Sequence, residues 1–225
     1  IFADKIGVML APDLQKLHPG STFVVDVKST GLFATDPELK SRGVKTDYWK
    51  TGHSHIKRRI KELQALAGFE KSGHFFFNAP LGRGYDDGIL TGIQVVEMLD
   101  RNPGMSLADL HSALPMTWGT PTMAPACADE LKYQVVQRML ERFEGMRLRG
   151  ETVAGSKIRD LVTVNGVCVT LEDGSWGLVR ASSNKPELVV VAESPVLESR
   201  LRETLTTIYA VLSDYPELGS YNQRM

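Results

Sequence analysis

Hydrophobic and polar positions in the first half of the chain follow two different periods. The run Thr22–Val27 is continuous, apolar and β-branched, which is typical of a strand buried on both faces. Phe75–Phe77 predicts a second strand. Between them, residues 53–66 repeat with a helical period and carry many basic side chains, which predicts a surface helix. The apolar face of that helix is expected to consist of Ile56, Ile60 and Leu63.

Another helix is predicted after the Phe75–Phe77 strand. Asp86 or Asp87 can cap it, because an aspartate side chain accepts hydrogen bonds from first-turn N–H groups. Its expected buried stripe is Ile89, Ile93, Val96 and Leu99. A short helix follows at Ser106–Ala113, with Ser106 as its cap. Strands that alternate with helices indicate an α/β domain.

The second half predicts short strands between two helices. Asn165-Gly166 separates the runs 161–164 and 167–170 and predicts a hairpin, because both turn residues tolerate positive φ. Two more strands are predicted at Trp176–Arg180 and Leu188–Ala192. The helices are expected at 129–143, with Leu131, Val135, Met139 and Phe143 along one side, and at 196–212, with Leu197, Leu201, Leu205, Ile208 and Leu212 facing a sheet. This pattern predicts an α+β domain.

Prolines and small residues concentrate between the two halves. Pro115, Pro121 and Pro125 lie close together with Gly119, and proline interrupts both helices and strand ladders. We therefore expect a domain boundary there, with one domain at 1–118 and another at 119–225.

Composition excludes several classes of partner. The 225 residues are 42% hydrophobic and 24% charged with a net charge of −1, so neither nucleic acid nor an anionic membrane surface is expected as a partner. No apolar run approaches the roughly 20 residues of a membrane span. Cys127 and Cys168 lie far apart, which indicates two reduced thiols in a cytoplasmic protein. The first residues form no signal peptide and lack an initiator Met, so we expect the chain to start inside a longer protein.

Four polar segments, each at the end of an expected strand or helix, have side chains suited to chemistry. Arg180–Pro186 offers a guanidinium, hydroxyls, an amide and an ammonium without an acid, which suits a phosphate, although a plain surface turn also fits. Glu70–His74 has groups that hydrogen-bond sugar hydroxyls or transfer protons, although it also fits an ordinary polar loop.

The other two segments are less specific. Lys50–His55 leads into the basic helix and suits an anion, while its His53-x-His55 pair also allows a metal site with His74 and Glu70. Lys28 follows the first strand, where it is either a donor to a substrate or a solvated lysine.

In chain order these segments resemble the α-D-phosphohexomutase family, which includes bacterial phosphomannomutase/phosphoglucomutase enzymes. The resemblance covers essentially the whole chain. Five segments match the family's run of motifs: Asp26-Val27-Lys28, Lys50-Thr51-Gly52-His53, Glu70-Lys71-Ser72-Gly73-His74, Asp86-Asp87-Gly88 and Arg180-Ala181-Ser182-Ser183-Asn184-Lys185-Pro186.

The resemblance implies the third and fourth domains of a four-domain enzyme: a mixed-sheet α/β domain, then a smaller α+β domain with an antiparallel sheet. It implies that Glu70, Ser72 and His74 bind the sugar and that Lys28 and His53 line the catalytic cleft. The phosphate that is not being transferred would be bound by Arg180, Ser182, Ser183, Asn184 and Lys185.

Family members move a phosphoryl group between the 1- and 6-positions of a hexose. The resemblance implies a phosphoserine enzyme, a hexose 1,6-bisphosphate intermediate and Mg²⁺. The serine loop and the acidic metal loop belong to domains that precede this part of the family's sequence, and no matching motif occurs in these 225 residues. We therefore expect no metal ligands in the chain and no turnover without the N-terminal domains of the same polypeptide.

Some positions depart from the family pattern. Phe69 looks inserted before Glu70, Lys71 stands where Met is common, and Ser183-Asn184-Lys185 replaces the usual clamp triplets. Phosphoglucosamine mutases, the nearest enzymatic alternative, usually carry Gln at the Lys71 position. Two further alternatives are a phosphosugar-binding module without catalysis and a metallohydrolase based on His53, His55 and His74.

Overall fold

The computed structural model describes residues 1–223. The chain forms two compact units, Ile1–Pro115 and a second that begins at Met116. Within residues 1–223, no helix is both long enough and apolar enough to cross a bilayer.

The first unit is built on a five-stranded mixed sheet in the order β2-β1-β3-β4-β5. β1 is parallel to β2 and β3, whereas β4 is antiparallel to β3 and β5 is antiparallel to β4. Its strands are β1 (Thr22–Asp26), β2 (Lys45–Trp49), β3 (Ala67–Phe69), β4 (Phe75–Phe77) and β5 (Tyr85–Asp86). Its helices are α1 (Ala3–Leu17), α2 (Leu32–Thr35), α3 (Pro37–Ser41), α4 (His53–Leu63), α5 (Gly88–Asp100) and α6 (Leu107–Ser112). The prediction of a mixed-sheet α/β domain is confirmed.

Both faces of the β1 strand are covered, as its continuous apolar run predicted. Phe23 and Val25 pack in one apolar cluster with residues of α1, while Val24 packs with Ile56 and Ile60 of α4 on the other face. Successive side chains of a strand point to opposite faces, so this division follows from the strand period. The central strand is therefore held from two sides and fixes the loop that follows it.

Two predicted helix faces in this unit are wrong in part. Leu63 is 36% exposed because α4 ends there and Gln64 turns the chain with a φ of 50°. On α5, Asp87 is the cap, but the expected stripe faces outward: Ile89 is 81% and Val96 65% exposed. Ile93 is 48% exposed as well.

The opposite side of α5 packs inward, where Leu90, Val95 and Met98 join the same apolar cluster as residues of α1. Gln94 on this side is buried as well. Arg101, just after α5, also donates to the Asp13 carboxylate of α1 at 2.7 Å. The α6 prediction is confirmed, since Ser106 and Asp109 form a capping box at its start.

Among the described residues, the second unit contains an antiparallel sheet with helices, as predicted, and the sheet has six strands: the four predicted ones and the short β6 and β7. The strand order is β6-β11-β10-β9-β8-β7. The strands are β6 (Trp118–Gly119), β7 (Thr152–Val153), β8 (Ser156–Val162), β9 (Val167–Leu171), β10 (Trp176–Ala181) and β11 (Leu188–Ser194). The helices are α7 (Asp129–Leu148) and α8 (Glu198–Ser213).

Both helices contribute side chains to one core with the sheet. Val135, Met139 and Phe143 of α7 are buried there, and Leu131 is partly buried. Gly177 of β10 lets α8 approach closely, because a Cβ at this position would lie 2.1 Å from a side-chain carbon of Ile208. One predicted core position is wrong: Leu197 is 56% exposed, because it occupies the N-cap position and lies before the first turn of α8. The predicted hairpin is confirmed between β8 and β9, with a φ of 94° at Gly166.

Candidate functional site

Three loops of the first unit meet at one edge of its sheet. β1, β2 and β3 run parallel, so the segments that follow them emerge at the same edge. β4 is antiparallel to β3 and therefore begins at that edge. This topology brings the Lys28, Glu70, Ser72 and His74 segments together.

The buried carboxylate of Asp26 joins these loops. It accepts hydrogen bonds from Ser29 Oγ at 2.6 Å, Thr51 Oγ1 at 2.9 Å and the Lys71 backbone N–H at 3.1 Å. The ammonium of Lys28 lies 3.5 Å from Asp26 Oδ2. Ser29 and Lys28 belong to the loop after β1, Thr51 to the loop after β2, and Lys71 to the loop after β3. The sequence analysis gave Asp26 no role, although a polar residue at the end of a buried strand could have indicated one.

Glu70, the acid of the candidate sugar loop, is buried. Its residue exposure is 2%, Ser72 Oγ donates to its Oε2 at 3.2 Å, and its Oε1 has no hydrogen-bond partner among the described residues. Burial and the nearby Asp26 charge raise the pKa of the Glu70 carboxyl, against the Ser72 hydrogen bond and the charges of Lys28 and His74. An unpartnered buried carboxylate oxygen is suited to accept a ligand hydroxyl.

His74 is oriented by a second acid. Its Nδ1 lies 2.7 Å from Asp86 Oδ2, and Asp86 Oδ1 accepts the Phe75 backbone N–H at 3.2 Å. The His74 side chain is 53% exposed, so the ring is held on one side and accessible on the other. Sequence reasoning placed Asp86 in a motif but gave it no part in the site.

His53 lies at the start of α4 with different neighbours. Its ring meets the Phe76 ring edge-on at a centroid distance of 5.1 Å, and the residue is exposed. Among residues 1–223, no hydrogen bond or ion pair links His53 to Glu70 or His74. Direct contacts thus join Ser72 to Glu70, Lys28 to Asp26 and His74 to Asp86, and His53 takes part in none of these three contacts.

Two departures from the family pattern have structural explanations. Phe69, the last residue of β3, is fully buried and stacks against Phe23 and Phe33, so it belongs to the core. Lys71 turns toward the start of α1, where its ammonium lies 4.0 Å from Asp4 Oδ2 and over the Phe2 ring. The Lys71 side chain therefore has an internal partner, and its identity says little about the choice of sugar.

The described part of the chain does not fit a magnesium site. No group of three or more His, Cys, Asp or Glu side chains within residues 1–223 is arranged to hold a metal ion. His53, His55 and His74 accordingly give no support to a metallohydrolase.

In the second unit, the candidate phosphate loop joins β10 to β11. Ser182 is buried at the base of the loop, whereas Ser183, Asn184 and Lys185 are exposed at its tip. The Arg180 guanidinium is buried in β10, and its Nη1 donates to the Ala181 carbonyl at 2.9 Å. All five predicted residues therefore lie in or beside one loop, two at its base and three at its exposed tip.

The far side of this loop is fastened to neighbouring elements. The Lys132 ammonium of α7 donates to the Lys185 carbonyl at 3.1 Å, and the Cys127 backbone N–H donates to the Pro186 carbonyl at 2.9 Å. The Ser182 N–H donates to the Glu187 carbonyl at 3.0 Å and closes the turn. A loop held this way presents its tip donors with little conformational freedom to lose on binding.

Comparison with known proteins agrees with this architecture. Residues 2–117 match the family model described as phosphoglucomutase/phosphomannomutase, alpha/beta/alpha domain III. The phosphomannomutase/phosphoglucomutase of Pseudomonas putida is 31% identical over 220 residues, which cover 97% of this chain and 44% of that protein. A phosphoglucomutase of Neisseria meningitidis is 31% identical over 219 residues, with the same coverages of 97% and 44%.

A solved structure gives the same result. The phosphoglucomutase/phosphomannomutase family protein from Burkholderia thailandensis superposes with a TM-score of 0.77 at 26% identity, covering 95% of this chain and 42% of that one. The chain thus spans less than half the length of the relatives it matches. The family model alone accounts for more than half of the 225 residues, and the relatives extend the match across nearly the whole chain. The chain therefore belongs to the α-D-phosphohexomutase family, and its first unit is that family's domain III.

Proposed function

We propose that this chain is the sugar- and phosphate-binding portion of an enzyme that interconverts hexose 1-phosphates and hexose 6-phosphates. The observation that carries the proposal is the buried Glu70 carboxylate: its Oε1 is unpartnered within residues 1–223, its Oε2 accepts from Ser72, and the charges of Lys28 and His74 favour its ionised form. Family membership supplies the class of ligand.

In this proposal Glu70 and Ser72 bind neighbouring hydroxyls of the hexose. A carboxylate only accepts hydrogen bonds, and a sugar hydroxyl both donates and accepts, so one hydroxyl can donate to Glu70 Oε1 while another pairs with Ser72. Leaving a buried acceptor unsatisfied costs about 1–3 kcal/mol, which a bound hydroxyl recovers. Lys28 and His53 would line the cleft and contact the reacting groups.

The second unit would bind the phosphate that stays on the sugar. Arg180, Ser182, Ser183, Asn184 and Lys185 supply charged and neutral donors from one fastened loop. Charge-assisted hydrogen bonds to a phosphate are about twice as strong as neutral ones. We propose that this unit is the family's fourth domain and that residues 119–225 form it.

The sugar is proposed to be glucose or mannose rather than glucosamine. The relatives at 31% identity are named phosphomannomutase/phosphoglucomutase and phosphoglucomutase. The N-acetylphosphoglucosamine mutase of Aspergillus fumigatus, solved with GlcNAc-6P and magnesium, shares only 12% identity and supports the fold alone. Magnesium, if used, would be held by the remainder of a longer protein, and turnover is expected to need that remainder.

Calorimetric titration of the chain with glucose 1,6-bisphosphate tests the proposal. We expect saturable binding that Arg180→Ala weakens about tenfold or more, the scale of a charged hydrogen bond of about 1.5–3 kcal/mol. Ser72→Ala is expected to weaken the sugar bisphosphate but not inorganic phosphate. A folded chain that binds neither glucose 1,6-bisphosphate nor mannose 1,6-bisphosphate would overturn the proposal. Mutase activity of the isolated chain would overturn the expectation that turnover needs the remainder of a longer protein.

A further inference from the structure

Asp86 and His74 form a pair that the sheet itself holds in place. Asp86 lies in β5, paired through the register Phe76↔Asp86 with β4, and His74 immediately precedes β4. The Asp86 carboxylate contacts the His74 ring through one oxygen and the Phe75 N–H through the other. The Asp86 carboxylate is thus held in place by the pairing of β4 with β5 and by its hydrogen bond from the Phe75 N–H.

The backbone of His74 is fixed as well. The Glu70 N–H donates to the His74 carbonyl at 3.0 Å, and the Gly73 N–H donates to the Glu70 carbonyl at 2.9 Å. Gly73 has a φ of 94°, which a residue with a side chain rarely adopts. The loop therefore closes tightly on itself and leaves the ring little freedom except rotation, which Asp86 restrains.

An ionised carboxylate accepts hydrogen bonds and donates none. The ring nitrogen that faces Asp86 must therefore hold the proton, and in the neutral ring Nε2 keeps its lone pair. We infer that Asp86 is a positioning residue: it selects the Nδ1–H tautomer of His74 and presents Nε2 as the atom that accepts a hydrogen bond from a sugar hydroxyl. The ligand's identity in this inference rests on the proposed function, whereas the tautomer does not.

Nitrogen-15 NMR of histidine-labelled protein tests the tautomer without any ligand. At about pH 8.5, two units above the ordinary imidazole value of about 6.5, long-range ¹H–¹⁵N correlations distinguish protonated from unprotonated ring nitrogens. We expect His74 to show a protonated Nδ1 and an unprotonated Nε2, and Asp86→Asn to reduce that preference. The exposed His55 serves as the internal reference, and Asp100→Asn, at an exposed position, as the matched control. A His74 ring protonated at Nε2, or a preference unchanged in Asp86→Asn, would overturn the inference.

A double-mutant cycle tests whether Asp86 acts through His74. Asp86→Asn is expected to weaken glucose 1,6-bisphosphate binding about fivefold, the scale of one hydrogen bond, and to have no further effect in a His74→Gln background. Equal losses in both backgrounds would overturn the inference, because Asp86 would then act independently of the ring. The expected tautomer in a chain that binds no sugar phosphate would support the inference and count against the proposed function. Thermal melts confirm that each variant is folded.

Discussion

Replacing Glu70 with Gln is expected to stabilise the first unit while weakening ligand binding. Glu70 is 2% exposed, and its Oε1 lacks a hydrogen-bond partner among residues 1–223. In the folded protein, the ionised Glu70 carboxylate has therefore lost hydrogen bonds to water at Oε1 without gaining others. Gln is nearly the same size, keeps an acceptor for Ser72 and carries no charge, so it removes the cost of the buried charge without creating a cavity, although its amide nitrogen is still an unpartnered polar group.

The magnitude follows from the loss of the buried charge. An unsatisfied buried polar group costs about 1–3 kcal/mol, and more when it is charged, so exchanging the carboxylate for a neutral amide is expected to raise the free energy of unfolding at pH 7 by about 1 kcal/mol. For a unit of this size that corresponds to a rise in melting temperature of several degrees.

The pH dependence of this gain has a definite sign. Burial and Asp26 raise the pKa of Glu70 in the folded protein above its ordinary value. A raised carboxyl pKa means that wild-type stability falls as pH rises from the ordinary value through the folded one. The advantage of Glu70→Gln should therefore be largest at neutral pH and shrink as the pH is lowered toward about 4.5.

Urea unfolding followed by circular dichroism at both pH values measures the effect. Glu62→Gln is the control, because Glu62 is exposed and its ion pair with Arg59 at 3.3 Å is worth at most about 1 kcal/mol. Titration with glucose 1,6-bisphosphate in parallel should show weaker binding for Glu70→Gln only. A loss of stability at pH 7, or a gain that does not depend on pH, would refute the reasoning about the buried charge.

Other positions give independent tests. Asp26→Asn should lower the free energy of unfolding by about 1.5–3 kcal/mol, since an amide offers fewer acceptor sites to the three loop donors, and urea titration measures it. Gly177→Ala should cost about 1–3 kcal/mol because its Cβ would overlap Ile208, whereas Gly92→Ala, in an open part of α5, should be neutral or stabilising; thermal melts of both variants compare them. Burial raises the pKa of the Cys168 thiol to about 12, so iodoacetamide at pH 8 should leave it unmodified until the protein is unfolded, as mass spectrometry would show.

Local sequence patterns determined much of the fold of this protein. The β-branched run of β1, the Phe75–Phe77 strand and the Asn165-Gly166 hairpin were all predictable, because strand burial and turn chemistry act over a few neighbouring residues. Cap residues located α5 and α6, and the helical period located α7, for the same reason. The order of polar motifs along the chain indicated the family without any knowledge of geometry.

Helix α1 was not predicted from the sequence. It spans Ala3–Leu17 despite Pro12 within it, and its buried residues include Asp4, Lys5, Asp13 and Gln15 as well as apolar ones. Its stability depends on partners far away in sequence, such as Thr30, whose N–H donates to Asp4 at 2.8 Å.

The tertiary structure also decided which apolar face of α5 is covered and which acids serve the site. Periodicity predicted one apolar stripe on α5, but Leu90, Val95 and Met98 on the other side pack into the core of the first unit. Asp26 accepts a hydrogen bond from Lys71, 45 positions away, and Asp86 contacts the ring of His74, 12 positions away. Such contacts exist only once the strands have paired. The sequence by itself determined the long strands and the helices with clear caps or periods, together with the candidate ligand-binding residues, because those depend on neighbouring residues. Only the folded sheet decided how the ligands are held, because its parallel strand ends bring distant loops to one edge.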